Sequence, residues 1–69
     1  MTITEQLRIL CIRLNISMSE LARLNGQTPQ NFMARVRRGT FNVEELEQIA
    51  ENAGCTFVRY FELPNGEKV

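Results

Sequence analysis

The chain has 69 residues, of which 43% are hydrophobic and 23% are charged, and its eight basic and eight acidic residues give a net charge of zero. A chain of this length forms one domain that buries only about 60% of the surface its unfolded form exposes, which leaves no room for a large enclosed enzyme cleft. The composition is typical of a folded, soluble domain rather than a disordered one.

Several classes of catalytic and metal site lack the residues they need. The sequence contains no histidine, and its two cysteines, Cys11 and Cys55, are far apart and form no CxxC pair. Both thiols are therefore expected to be reduced core side chains. No Gly-rich phosphate loop and no GxSxG motif are present. We expect no enzyme activity, no metal, no cofactor and no small-molecule ligand.

Targeting signals are also missing from the sequence. No basic region followed by an apolar run and a small-residue cleavage site follows Met1, so no secretory signal is expected. No apolar run approaches the ~20 residues needed to span a bilayer. The sequence therefore predicts a cytoplasmic protein without a membrane partner.

Charge is divided unevenly between the two halves of the chain. Residues 1–41 contain six arginines and two glutamates, whereas residues 42–69 contain two basic residues and six glutamates. The first part carries a net charge of +4 and the second −4. One end of the domain is thus predicted to face an anion while the other repels it.

The first predicted helix covers about residues 3–14. Thr2-x-x-Glu5 has the spacing of a capping box, and apolar residues then recur at helical spacing, namely Ile3, Leu7, Leu10, Cys11 and Leu14. Ile9 and Ile12 lie on the opposite side. They are either a contact with another chain or ordinary surface isoleucines, and the sequence does not separate these two interpretations.

The second predicted helix is short, about 18–24, and begins at Ser17-x-x-Glu20. Its inner face contains Met18, Leu21 and Ala22. Asn25-Gly26 ends it, because glycine tolerates the left-handed conformation that follows a helix.

The third predicted helix begins almost at once and covers about 29–37 or 38. Thr28 is its expected N-cap, and Pro29 suits the first helical position, where the missing N–H costs nothing. Phe32 and Val36 are predicted to turn inward, with Met33 beside them.

A fourth helix is predicted to follow the Asn42-x-x-Glu45 capping pattern and to stop at Gly54, burying Leu46, Ile49, Ala50 and Ala53. From Cys55 the composition becomes β-branched and aromatic, which favours a strand. Asn65-Gly66 predicts a two-residue hairpin turn with a short returning strand, 67–69.

The tight connection between the second and third helices is typical of a helix-turn-helix, in which Ala22 permits close crossing and Gly26 permits the turn. Residues 16–55, "ISMSELARLNGQTPQNFMARVRRGTFNVEELEQIAENAGC", resemble the Cro/repressor-like (XRE) helix-turn-helix family. This resemblance implies a mainly α, four-helix DNA-binding domain at 1–55. The C-terminal tail, 56–69, lies outside it and is predicted to be a short β-hairpin that serves as a dimerisation element.

The sequence departs from the family pattern at some positions. A basic residue in the first helix often pairs with an acidic one in the third, and the matching positions here are Cys11 and Val36. Replacing both members of a buried ion pair by apolar groups is compatible with a stable fold. Gln27 takes a turn position that is usually apolar. Met18 stands where a glutamine often contacts the sugar-phosphate backbone.

The resemblance identifies the third helix as the recognition helix, and its outward positions follow from the helical period. The expected base-reading residues are Gln30, Asn31, Ala34 and Arg37, because amides pair with adenine, a methyl group contacts thymine, and arginine reaches guanine. The expected DNA-backbone contacts are Ser17, Thr28, Arg35 and Arg38. Two alternatives stay open: the amides are helix-start polar residues, or the arginines pair with glutamates of the fourth helix.

The predicted function is sequence-specific binding of double-stranded DNA by a bacterial or phage transcriptional regulator, most simply a repressor at the nucleoid. A homodimer would place two recognition helices in successive major grooves of a pseudo-palindromic operator. Its expected interface contains Ile9, Ile12, Val58 and Tyr60. The alternative is a protein-interaction module, antitoxin-like or an adaptor, that uses the same fold without DNA.

Overall fold

The computed structural model describes residues 1–69 and contains four α-helices and no β-sheet. The helices are α1 (Ile3–Leu14), α2 (Met18–Leu24), α3 (Pro29–Arg38) and α4 (Val43–Asn52). The prediction of a mainly α domain with four helices is therefore confirmed. None of the helices combines the length and the apolar character needed to cross a membrane.

Each helix begins at a polar side chain that accepts a hydrogen bond from a free backbone N–H of the first turn. In α2 the Ser17 hydroxyl accepts from the Glu20 N–H at 3.0 Å, and the Glu20 carboxylate accepts from the Ser17 N–H at 3.1 Å. Asn42 and Glu45 form the same reciprocal capping box on α4. Each cap contributes about 1 kcal/mol to stability, which matters in a domain with so small a core.

The corner between α2 and α3 is closed by backbone hydrogen bonds around one left-handed residue. Gly26, with φ 68°, donates its N–H to the Arg23 carbonyl at 3.0 Å, and Gln27 donates to the Ala22 carbonyl at 3.0 Å. This is the Schellman arrangement, which requires the left-handed conformation at the glycine. Asn15, with φ 57°, ends α1 in the same conformation, a role that the sequence analysis did not assign.

The core is one apolar cluster where α1, α2 and α3 meet, and α4 contributes Ile49 to it. Its members are Leu7, Cys11, Leu21, Ala22, Phe32, Val36 and Ile49. Cys11 and Val36 are both buried in it, so these two positions do carry apolar packing. Burial raises the pKa of the Cys11 thiol above its ordinary value, and the negative charge of Glu20 raises it further. The thiol therefore stays protonated and is a core side chain.

Polar and aromatic contacts attach α4 to the rest of the domain. Phe41, in the link before α4, packs its ring 6.2 Å from that of Phe32. At the other end of α4 the Asn52 amide donates to the Asn25 side-chain oxygen at 2.9 Å, and the Asn25 amide donates to the Leu21 carbonyl at 2.8 Å. The helix-turn-helix corner is thus tied to α4 as well as to its own two helices.

The predicted C-terminal β-hairpin is not formed. The chain doubles back, but only a single antiparallel bridge, between Glu62 and Lys68, is present. Phe61 and Val69 exchange both backbone hydrogen bonds, at 2.7 and 2.9 Å. The returning residues 67–69 can pair only with 61–63, and so short a ladder does not make two strands.

The turn itself also differs from the prediction. The Gly66 N–H donates to the Leu63 carbonyl at 2.8 Å, so Pro64 and Asn65 are the central residues of the turn. Gly66 follows them with φ 88°. The chain thus reverses over three residues, Pro64, Asn65 and the left-handed Gly66, instead of over the Asn-Gly pair alone.

The tail lies mostly outside the helical body. The radius of gyration of the chain is 13.2 Å, compared with about 11 Å for a compact domain of this length. Every residue from 58 to 69 is exposed, including the apolar side chains of Val58, Tyr60, Phe61, Leu63 and Val69. The tail therefore has apolar surface that its own helices do not cover.

We expect Gly26→Ala to destabilise the domain by about 1–2 kcal/mol, because an L side chain strains the left-handed backbone. No atom lies within 4 Å of the added Cβ, so steric crowding does not contribute. Gly26→Asn is the matched control, and it should cost less because asparagine visits the left-handed region readily. Urea unfolding measures both variants. Equal stability of the alanine variant and the parent chain would contradict this account of the corner.

Candidate functional site

The outward face of α3 carries polar side chains that have no partner within the protein. Gln30, Asn31, Arg37 and Arg38 are exposed, and none of their side chains bonds to another group of the protein. Ala34 is half-buried and lies nearly opposite Phe32 around the helix. The structure thus brings all four expected base-reading residues and Arg38 onto one continuous surface.

Arg35 stands apart from this group because it faces α4. Its guanidinium pairs with the Glu45 carboxylate and lies over the Phe41 ring, 4.8 Å from the ring centroid. Only 28% of the Arg35 side chain is exposed. For this arginine the alternative of pairing with a glutamate of the fourth helix is confirmed, and its expected role at the DNA backbone has no support from the geometry. Arg37 and Arg38 have no such partner.

The two helix starts that were expected to approach phosphates differ in charge. At α2, the Glu20 carboxylate already accepts from the Ser17 N–H, so an anion near Ser17 would meet a negative charge. At α3, the Thr28 hydroxyl accepts from the Asn31 N–H at 3.3 Å, and the first turn contains no acidic residue. Pro29 has no N–H, so the Gln30 N–H is the free donor of this turn. Because the helix dipole attracts anions and no carboxylate opposes it here, α3 offers the better approach.

The other flank of α3 contains residues that the sequence analysis did not assign to the site. A cleft of about 220 Å³ separates α1 from the end of α3 and is lined by Arg8, Met18, Met33, Val36 and Arg37. Met33, expected beside the core, is 39% exposed at this edge. Arg8 was visible in the sequence only as one of six arginines in the basic part of the chain. Its proximity to α3 depends on how the helices cross.

The expected dimer-interface residues fall into two separate places. Val58 and Tyr60 are 69% and 52% exposed, and with Phe61 and Val43 they line a groove between the tail and α4. Ile12 is 74% exposed on α1 and Ile9 is half-buried, and neither lines that groove. The structure therefore does not bring the two isoleucines together with the tail.

Comparisons of the chain with protein-family models, with curated proteins and with solved structures found no match.

The different surroundings of the α3 arginines predict different effects on stability. Arg35→Ala removes the ion pair and the stacking on Phe41, and should lower the free energy of unfolding by about 1 kcal/mol. For a domain of this size that is a fall in Tm of about 4–8 °C. Arg38→Ala, the matched control, should change it by less than about 0.5 kcal/mol. Thermal unfolding of the two variants makes the comparison, and equal losses would show that Arg35 has no special structural role.

Proposed function

We propose that the chain is a sequence-specific regulator of transcription that binds double-stranded DNA, most simply as a dimeric repressor on a pseudo-palindromic operator. In this proposal α3 is the recognition helix and lies in the major groove, and the chain acts at the nucleoid in the bacterial cytoplasm. A helix with its side chains is about 10–12 Å across, close to the ~12 Å width of the groove.

One observation carries the proposal: α3 presents amides and guanidinium groups that no other part of the protein uses. Gln30 and Asn31 are free to pair with base edges, and Arg37 and Arg38 are free to bind guanine or phosphate. Exposed polar residues alone are common. Here they share a helix held at a tight corner, and the one arginine of α3 that is paired, Arg35, faces α4 instead of that surface.

The charge distribution supports the same orientation. Residues 42–69, which follow the basic helix α3, have a net charge of −4. Three of their six glutamates are exposed on α4, namely Glu44, Glu47 and Glu51. A polyanion approaching the domain is therefore attracted to the exposed arginines of α3 and repelled by the glutamates of α4.

Dimerisation through the tail is the second part of the proposal. Residues 56–60 make no backbone–backbone hydrogen bonds, and their neighbours carry exposed apolar side chains. A free backbone edge beside apolar surface is suited to pairing with a second chain. A single module of this size buries too little surface to bind DNA tightly at physiological salt, and a second subunit supplies the rest.

Selection from a random duplex library at about 0.15 M salt tests the DNA-binding proposal. We expect enrichment of two half-sites about 34–36 Å apart. On the enriched duplex, Gln30→Ala should cost about 1–3 kcal/mol and relax preference at one position of each half-site. Arg38→Gln should weaken all sequences alike and make the salt dependence shallower. Fluorescence anisotropy measures both effects.

Arg13→Gln is the control, since Arg13 is exposed on α1, and its loss changes the net charge by the same amount. If Arg13→Gln weakens binding as much as Arg38→Gln does, the binding depends on general charge attraction and not on a defined interface. A folded, dimeric sample that enriches no sequence would contradict the proposal and favour the protein-interaction module.

The dimer prediction is tested by sedimentation equilibrium of the parent chain and two single-charge variants. Val58→Asp places a charge in the tail and should raise the dimer dissociation constant at least about tenfold, because an unpaired carboxylate is costly to bury. Ile12→Asp places the same charge on the exposed face of α1 and should leave it unchanged. The reverse result would move the interface to α1, and a monomeric parent chain at DNA-binding concentrations would contradict dimerisation.

A further inference from the structure

The cleft beside α3 combines two positive side chains with apolar walls. Arg8 and Arg37 supply the guanidinium groups, and Met18, Met33 and Val36 supply the walls. Its volume is about 220 Å³, and it is open to solvent. A phosphate group fits such a space together with ordered water.

A specific contact between α1 and α3 brings Arg8 to this place. The Thr4 hydroxyl donates to the Val36 carbonyl at 2.5 Å, which fixes the first half of α1 against the last turn of α3. Arg8 is one turn after Thr4 and shares its face of the helix. Arg13, five residues further on, points about 140° away around α1. Of the two arginines of α1, only Arg8 is directed to α3.

The positive charge of the cleft is not neutralised within the protein. The one ion pair in the structure is that of Arg35 with Glu45, and neither Arg8 nor Arg37 donates a side-chain hydrogen bond to a protein acceptor. Arg37 has a structural reason for its position, because a cation near the end of α3 offsets the helix dipole. Arg8 has none, and two guanidinium groups lining one cleft repel each other until an anion binds between them.

We propose that this cleft is a phosphate-binding site, in which Arg8 and Arg37 together hold one backbone phosphodiester of the bound DNA. The inference rests on the proposed function and deepens it in two ways. It adds α1 to the DNA-contacting elements, and it moves Arg37 from base reading to backbone positioning.

The site has a clear role in positioning. The start of α3, where the Gln30 N–H is free, and the cleft beside its end are separated by most of the helix length. Phosphate contacts at these two places would fix both the depth and the tilt of α3 in the groove, and so would decide which bases Gln30 and Asn31 reach.

The test compares Arg8→Gln with Arg13→Gln on the enriched operator duplex, over salt concentrations from about 50 to 200 mM. Each lost phosphate contact should reduce the slope of log K against log salt by about 0.9, or about 1.8 for a dimer. Arg37 still faces the phosphate in Arg8→Gln, so over this fourfold rise in salt the parent chain should lose up to about 12-fold more affinity than the variant. Arg13→Gln should keep the parent slope. Thermal unfolding confirms that both variants are folded, as expected for exposed side chains.

A second measurement uses neutral methylphosphonate linkages placed one at a time along the duplex. At one linkage in each half-site the parent chain should lose affinity, while Arg8→Gln and Arg37→Gln should each lose clearly less there, because each variant keeps only one of the two arginines that serve this phosphate. If the parent chain binds its operator and Arg8→Gln retains the parent salt slope and linkage profile, the phosphate site in the cleft is overturned and the proposed function is not. A parent chain that binds no duplex would overturn the proposed function and, with it, this site.

Discussion

Phe32 of α3 and Leu21 of α2 are the two large side chains that the fold removes entirely from solvent. Their packing in the core fixes the angle between the two helices. Because α3 is held by its Phe32 side, its opposite side faces outward. Only nine of the 69 residues are buried, and a core in a chain this short rarely supplies more than about 3–5 kcal/mol. The four capped helix starts and the hydrogen bonds at the corner are therefore a substantial part of the stability of the domain.

The helices could be predicted from the sequence because their starts and ends are encoded locally. Ser17, Thr28 and Asn42 each act on the next few residues, and Gly26 ends α2 by its own conformation. The contribution of Phe41 to the core could not be predicted in this way, since Phe41 lies in the link between α3 and α4 and its role depends on contact with the Phe32 ring. The prediction of a β-hairpin was wrong because the returning segment, 67–69, is too short to pair with most of the strand-like tail. Composition favours a strand, but hydrogen bonds to a second segment are needed to form one.

The candidate site was predictable as a face but not residue by residue. The helical period separated Phe32 and Val36 from the outward positions, which the structure bears out. It could not show that Arg35 turns to Glu45 while Arg37 stays unpaired, because that difference depends on how α4 sits beside α3. The sequence could not place Arg8 beside α3 for the same reason, because its position depends on the packing of α1 against the last turn of α3, where Thr4 donates to the Val36 carbonyl. Local patterns therefore identify the surface, and tertiary contacts decide its members.

The unpaired backbone of residues 56–60 has a consequence for the kind of assembly that the chain can form. Two copies that pair antiparallel about a two-fold axis use the same edge on both sides, and the assembly closes. Copies that pair head to tail leave an open edge at each end, and growth into a fibre has no natural stop. Arg59 is the one charged residue among residues 56–60. A charge at such a position opposes open-ended growth, so the symmetry of the contact decides between a soluble particle and an aggregate.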